Sequence, residues 1–253
     1  MLNKKPWNHA GFHKALAALA SLSQGERALD LGSGRGATLE YLLTSVGPEG
    51  HVTALDRMER ALSDIETRHS DEIRNGRLTL VNRDVGKTSF LDNSFDAVIC
   101  QNVIECVEDR EGLVLEIKRI LRPGGRLVLG HHDFDGIIIS SDDKDLTRRI
   151  VHGFADHKQN WQDFAEGRMG RMIPALAASG NFASVEIETH LFVDLHTSMG
   201  SYARDYLSWV EELSTQIGIE QETMTKWLEG LKASATHGRF FFGLPWMCAV
   251  CQK

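Results

Sequence analysis

The chain has 253 residues, 42% of them apolar, a formal net charge of −7 and four cysteines. That length suits one α/β domain with an added cap, and so few cysteines exclude a disulfide scaffold and point to a reducing, cytoplasmic setting. An acidic balance without a Lys/Arg block argues against a nucleic-acid partner, and no apolar run reaches the roughly 18 residues that a spanning helix needs.

In chain order, residues 1–25 read as an amphipathic lead-in helix that serves as a lid. Phe12, Leu16, Leu19 and Ala20 recur at helical spacing, and His9 and His13 interrupt the apolar patch that a secretion leader would require. From Arg27 to His131, strand-like and helix-like runs alternate. "RALDL" is the first strand, and 37–44 a helix. "HVTALD" is the second strand, and 57–73 a helix. "RLTLVN" is the third strand. "FDAVICQ" is the fourth, followed by a helix over 109–121, and "GRLVLGH" is the fifth. Such alternation is the pattern of a parallel sheet with helices on both faces. "RPGG" reads as a helix stop and a turn. The stretch 134–170 is mixed. A helix over 172–179 stops at Gly180, "SVEIETHLFV" is a sixth strand, two helices span about 201–216 and 220–236, and "RFFFGLPWMCAV" closes the chain as a buried strand. The expected organisation is one domain. Its cofactor half is 27–131, and helical cap segments lie at 132–180 and 195–238.

The turn Gly32–Gly36 after the first strand carries the chemistry. In open α/β sheets, ligands bind beyond the carboxyl ends of the strands where the strand order reverses. Gly32-x-Gly34-x-x-Ala37 satisfies the relaxed dinucleotide pattern, so a nicotinamide-dependent oxidoreductase is one reading. Asp56 ends the second strand, where a carboxylate accepts ribose hydroxyls in either cofactor class. Asp30 discriminates. Two residues before the first glycine, its carboxylate would repel a diphosphate and attract the ammonium of a methionine moiety. Asp84, after the third strand, is placed to accept from an adenine amino group.

Taken as an ordered set, "LDLGSGRG", Asp56, "NRDV", "NSFDAVICQNVIECVED" and "ILRPGGRLVL" resemble the class I S-adenosylmethionine-dependent methyltransferases, in particular the small-molecule branch of the ubiquinone/menaquinone type. The resemblance covers about 27–130. It implies a Rossmann-like, doubly wound, seven-stranded sheet whose last strand is antiparallel, and S-adenosylmethionine as cofactor. By position it would set Asp30 and Gly32 near the methionine part, Gly34 and Gly36 in the same cofactor-binding turn, Asp56 and Arg57 at the ribose, Asp84 and Val85 at adenine, Gln101 at the methionine backbone, and Val103 on the ring. The branch often carries His near position 106, where this chain has Cys106.

Methyl transfer from a sulfonium needs alignment above all, with a base only when the acceptor arrives protonated. "GHHDFD" ends the fifth strand, so His131 or His132 is the expected catalytic group. Adjacent strand residues face opposite ways, so one of the two should face the acceptor. Trp7, His9, Phe12, Trp161, Tyr202, Tyr206 and Trp209 are the aromatic stock for a lid. Arg168 and Arg171 are either carboxylate binders or a solvated helix end. Cys248 and Cys251 have metal-like spacing but no complementary pair, so no metal is expected. Arsenite methylation needs thiols near the donor, and Cys100 and Cys106 are the available ones. The expected partner is a small, partly apolar methyl acceptor, with nitrogen, oxygen and carbon all open. A non-catalytic cofactor-binding protein is a third reading.

Overall fold

The computed structural model describes residues 9–160, 162 and 166–253. Its first element, α1 (His9–Leu19), leads into β1 (Arg27–Leu31). There follow α2 (Leu39–Val46), β2 (His51–Asp56), α3 (Glu59–Arg68), α4 (Ser70–Arg74), β3 (Leu78–Asn82), β4 (Phe95–Gln101), α5 (Arg110–Ile120) and β5 (Leu121–His132). The cap and closing elements are β6 (Ile138–Ile139), α6 (Lys144–Asp156), α7 (Met169–Ser179), β7 (Ser184–Asp194), α8 (Tyr202–Glu212), α9 (Gln221–Thr236) and β8 (Phe242–Gln252).

The sheet order is β3-β2-β1-β4-β5-β8, with β7 on the far side of β8. The first five strands pair in parallel, and β8 is antiparallel to β5 and β7. The order reverses between β1 and β4, so the crevice for a ligand opens beyond their carboxyl ends. Alternation along the strands separates two cores. Ala28, Ala97 and Ile99 join the apolar layer of α1 and α2, whereas Leu29, Leu31, Val98 and Cys100 join that of α5 and α7. Leu39, Leu42, Leu43 and Val46 form the buried stripe of α2, each contributing roughly 1.5–3 kcal/mol by leaving water. Among the described residues, no helix is long and apolar enough to cross a membrane.

Three local features differ from the sequence expectation. The sheet has an eighth strand, because Ile138–Ile139 pairs with Gly243 and Phe242 beside the end of β5; two residues are too few to show a period. The helix expected over 57–73 is two helices, interrupted at His69 with φ −118° and ψ 30°. "RPGG" lies inside the span of β5 as a bulge. Leu121 pairs with Phe95 and the next partner of β4 is Arg126 opposite Ala97, with Gly124 at φ +77° supplying the reversal. Cys248 and Cys251 pack into different cores on opposite faces of β8, so they do not converge on a common ligand.

Candidate active site

The glycine turn is built by backbone and one carboxylate. Gly32 and Ser33 both donate to the Leu55 carbonyl, which hangs the turn on the end of β2. Asp56 Oδ2 accepts from the Gly34 amide at 2.7 Å and Oδ1 from the Met58 amide at 2.8 Å. Asp56 therefore fixes the turn and opens α3 at once, and each oxygen keeps a second lone pair for a hydroxyl. Gly32 has φ +77°, and a Cβ there would come within 2.3 Å of Val103 Cγ2. The sequence-predicted Val103 thus closes one side of the turn. At Gly34 a Cβ would meet nothing within 4 Å, so the turn faces open space there.

Asp30, Asp56 and Asp84 end or follow the first three strands. Asp30 is 4% exposed, and burial, with the Asp56 charge second, pushes its pKa up to about 7. Asp84 accepts from the Gly86 amide at 2.9 Å and pairs with Arg57 at 3.6 Å, which leaves its side chain half exposed. Val85 beside it is buried. Ser33 Oγ is buried in the same turn with no hydrogen-bond partner among the described residues. This donor set fits an adenosyl sulfonium. It offers carboxylates for hydroxyls, an amine and an ammonium, and a diphosphate would meet net negative charge.

Side chains at the end of β4 tie it to β8 and β5. Gln101 is held from both ends, its Oε1 accepting from Trp246 Nε1 at 3.0 Å and its Nε2 donating to Asn102 Oδ1 at 2.9 Å. Asn102 takes φ +54°, a region asparagine tolerates. Its side chain lies 2.9 Å from His132 Nδ1. His132 is ringed by Phe12, Phe134, Phe192 and Tyr202. His131 turns the other way. It is fully buried, with Nδ1 2.7 Å from the His132 carbonyl and Nε2 3.6 Å from Glu105 Oε2.

A cavity of about 420 Å³ opens from this point. Asn102 and Glu105 follow β4, Phe134 follows β5, Phe154 lies on α6 and Gly167 before α7, and Trp209 and Glu212 lie on α8. Neither histidine ring lines it; each reaches it through a neighbour, His131 through Glu105 and His132 through Asn102. Sequence reasoning assigned Glu105 no role. Its only signal was an acid set among apolar residues just past the fourth strand. Trp246 gave none, being one more apolar residue in a buried run.

Of the expected lid aromatics, Trp209 covers the cavity, stacked on Phe154 at an interplanar angle of 7°. Phe12, Tyr202 and Tyr206 pack in or against the core. Trp7, Trp161 and the His9 side chain lie outside the described residues. His13 of α1 bonds Thr38 Oγ1 at 3.0 Å, which ties the lead-in helix to the start of α2.

Both cap arginines are already engaged. Arg168 pairs with Glu166 at 2.8 Å. Arg171 donates to Asp133 from its amide at 2.9 Å and from Nε at 2.8 Å, and pairs with Asp135 at 3.1 Å. Asp133 is 1% exposed, so this pair locks α7 to the end of β5. Arg171→Ala leaves a buried carboxylate with little compensation and is expected to cost about 2–3 kcal/mol in urea unfolding, below the full buried-pair range because Arg171 is half exposed. A loss under about 0.5 kcal/mol, the level of an exposed pair, would show that Asp133 is held by other groups.

Residues 29–129 match the family model described as a methyltransferase domain. With the sheet order and the glycine turn, this segment is similar to the class I S-adenosylmethionine-dependent methyltransferases. More particularly, it is similar to the ubiquinone/menaquinone biosynthesis C-methyltransferase UbiE of Ectopseudomonas mendocina, 32% identical over 111 residues, 44% of this chain and 43% of that one. The arsenite methyltransferase of Halobacterium salinarum is 31% identical over 113 residues, 44% of this chain and 28% of that one. The chain thus spans less than half the length of these curated relatives. The YcgJ protein of Bacillus subtilis has the same fold, with a TM-score of 0.60 and 16% identity over 97% of this chain and 98% of that one.

Proposed function

We propose that the protein transfers a methyl group from S-adenosylmethionine to a small, partly apolar molecule held in the cavity beside Asn102 and Glu105. The observation that carries this reading is adjacency. The carboxylates Asp30, Asp56 and Asp84 stand at the ends of β1, β2 and β3, β1 pairs with β4, and Asn102, the residue after the end of β4, lines the cavity and is bonded to Gln101, which Trp246 pins. In this reading Asp30 and Gln101 hold the methionine end, Gly32, Gly34 and Gly36 let the backbone approach it, Asp56 and Arg57 hold the ribose, and Asp84, Val85 and Val103 hold the base. The cofactor supplies an already activated methyl. The chain supplies alignment and a water-poor site, which alone is worth on the order of 7–11 kcal/mol.

His131 and His132 are assigned to turnover rather than cofactor binding, as supports for Glu105 and Asn102. Alanine at both positions is expected to leave S-adenosylhomocysteine affinity within about threefold and to slow transfer on the order of 100-fold. An unchanged rate would remove them from the mechanism. The relatives leave the acceptor open, since one is by name a ubiquinone/menaquinone biosynthesis C-methyltransferase and another an arsenite methyltransferase. Arsenite finds little support in the site, where Cys100 is fully buried with its thiol pushed up by burial. A crystal structure with S-adenosylhomocysteine tests the proposal. The sulfur is expected to face the Asn102–Glu105 cavity, and a sulfur facing away from it would contradict the reading.

A further inference from the structure

We infer that the acceptor is an organic amine with an aromatic or similarly flat apolar body, bound as an ammonium against Glu105 and methylated on nitrogen. The inference rests on the methyl-transfer reading and deepens it. Glu105 is 7% exposed and lines the cavity, yet among the described residues it accepts no hydrogen bond and forms no ion pair with Lys or Arg. Its one ionisable neighbour among the described residues is His131, with Nε2 at 3.6 Å, on the side of the protein core. A buried carboxylate without a compensating cation is costly, and a ligand cation removes that cost. The rest of the lining agrees. No described lining residue is Lys or Arg, a second carboxylate, Glu212, stands exposed on helix α8, and Arg110 on the Glu105 loop donates to the Ile104 carbonyl without lining the cavity. Phe134, Phe154 and Trp209 offer aromatic faces, which attract a cation and its apolar body together. An acceptor carrying a carboxylate or phosphate would meet two carboxylates, with Asn102, His157, Gln159 and Gln162 as neutral donors and no Lys or Arg among the described lining.

The step balances without a further reactant. The bound ammonium gives one proton to the Glu105 carboxylate, from which His131 Nε2 is next in line. The freed nitrogen lone pair forms the N–C bond as the methyl–sulfur bond breaks. That bonding pair stays on sulfur as a neutral thioether, and the product nitrogen carries the positive charge.

The test is calorimetry on the intact chain with S-adenosylhomocysteine present, titrating tryptamine, tryptophol and indole-3-propionate, which share one ring and differ in the terminal group. Tryptamine is expected to bind at least tenfold tighter than tryptophol, and indole-3-propionate more weakly than either. Glu105→Gln should cut the amine preference to under threefold with S-adenosylhomocysteine affinity unchanged. Glu212→Gln, at an exposed position on α8, should reduce it about threefold. Equal binding of amine and alcohol, or no saturable amine binding at 10 mM, overturns the inference. If S-adenosylhomocysteine does not bind but the amine ranking holds, the methyl-transfer reading fails while the preference of the cavity stands.

Discussion

Asp30→Asn is expected to move two measurements in opposite directions at pH 8, raising thermal stability and weakening S-adenosylhomocysteine binding roughly 10- to 100-fold. The reason is the cost of holding an ionised carboxylate at the buried end of β1 beside Asp56. Its pKa, pushed up to about 7 by burial first and the Asp56 charge second, lies above the unfolded value near 3.9. Between about pH 4 and 7 the native state therefore keeps a proton that the unfolded chain has released. Stability then falls as pH rises through that window. Above it, the ionised group is a standing penalty on the order of a few kcal/mol, which the asparagine removes and a bound ammonium offsets. Below about pH 4 the stability difference between the two proteins should vanish. The affinity of the wild type for S-adenosylhomocysteine should fall as pH drops through about 7, while that of the variant stays flat. A carboxylate kept only for structure would lose stability on substitution and leave affinity within twofold. Differential scanning fluorimetry and titration calorimetry on the same samples read both.

Gly32→Ala is the second large effect. The left-handed backbone at φ +77° costs a Cβ-bearing residue about 1–2 kcal/mol, and the new Cβ meets Val103 Cγ2 at 2.3 Å. A total loss of roughly 2–4 kcal/mol follows from strain plus overpacking. The clash belongs to the pair, so Gly32→Ala with Val103→Ala should cost at least about 1 kcal/mol less than the sum of the two single changes. Additive losses would mean that the turn shifts away from Val103, and that Val103 does not close its side.

The sequence made legible whatever depends on near neighbours. Strand β4 runs from Phe95 to Gln101 as its residues foretell, because a continuous apolar run bounded by turn residues specifies itself. The glycine turn and the acids flanking it were equally local. What stayed hidden depends on contacts between distant parts of the chain. The bond from Trp246 to Gln101 spans 145 positions, and nothing near either residue announces the other. Glu105 reads as a loop acid until β5 sets His131 beside it and the cap segments wall it in. His131 and His132 were rightly expected to face opposite ways, since a strand fixes that. That each would meet the cavity through another side chain required the packed structure. Arg171 shows the same limit. Its two readings, carboxylate binder or solvated helix end, gave way to a third, an anchor for the buried Asp133, 38 residues away.

The central claim is that the carboxylates at the ends of the first three strands hold an adenosyl group bearing an amino acid, and no diphosphate. Titration calorimetry with S-adenosylhomocysteine and with NADH decides it most directly. Saturable, one-to-one heat is expected with the first, weakened in Asp30→Asn and Asp56→Ala, and none with the second. Tight uptake of NADH with no heat from S-adenosylhomocysteine would contradict it.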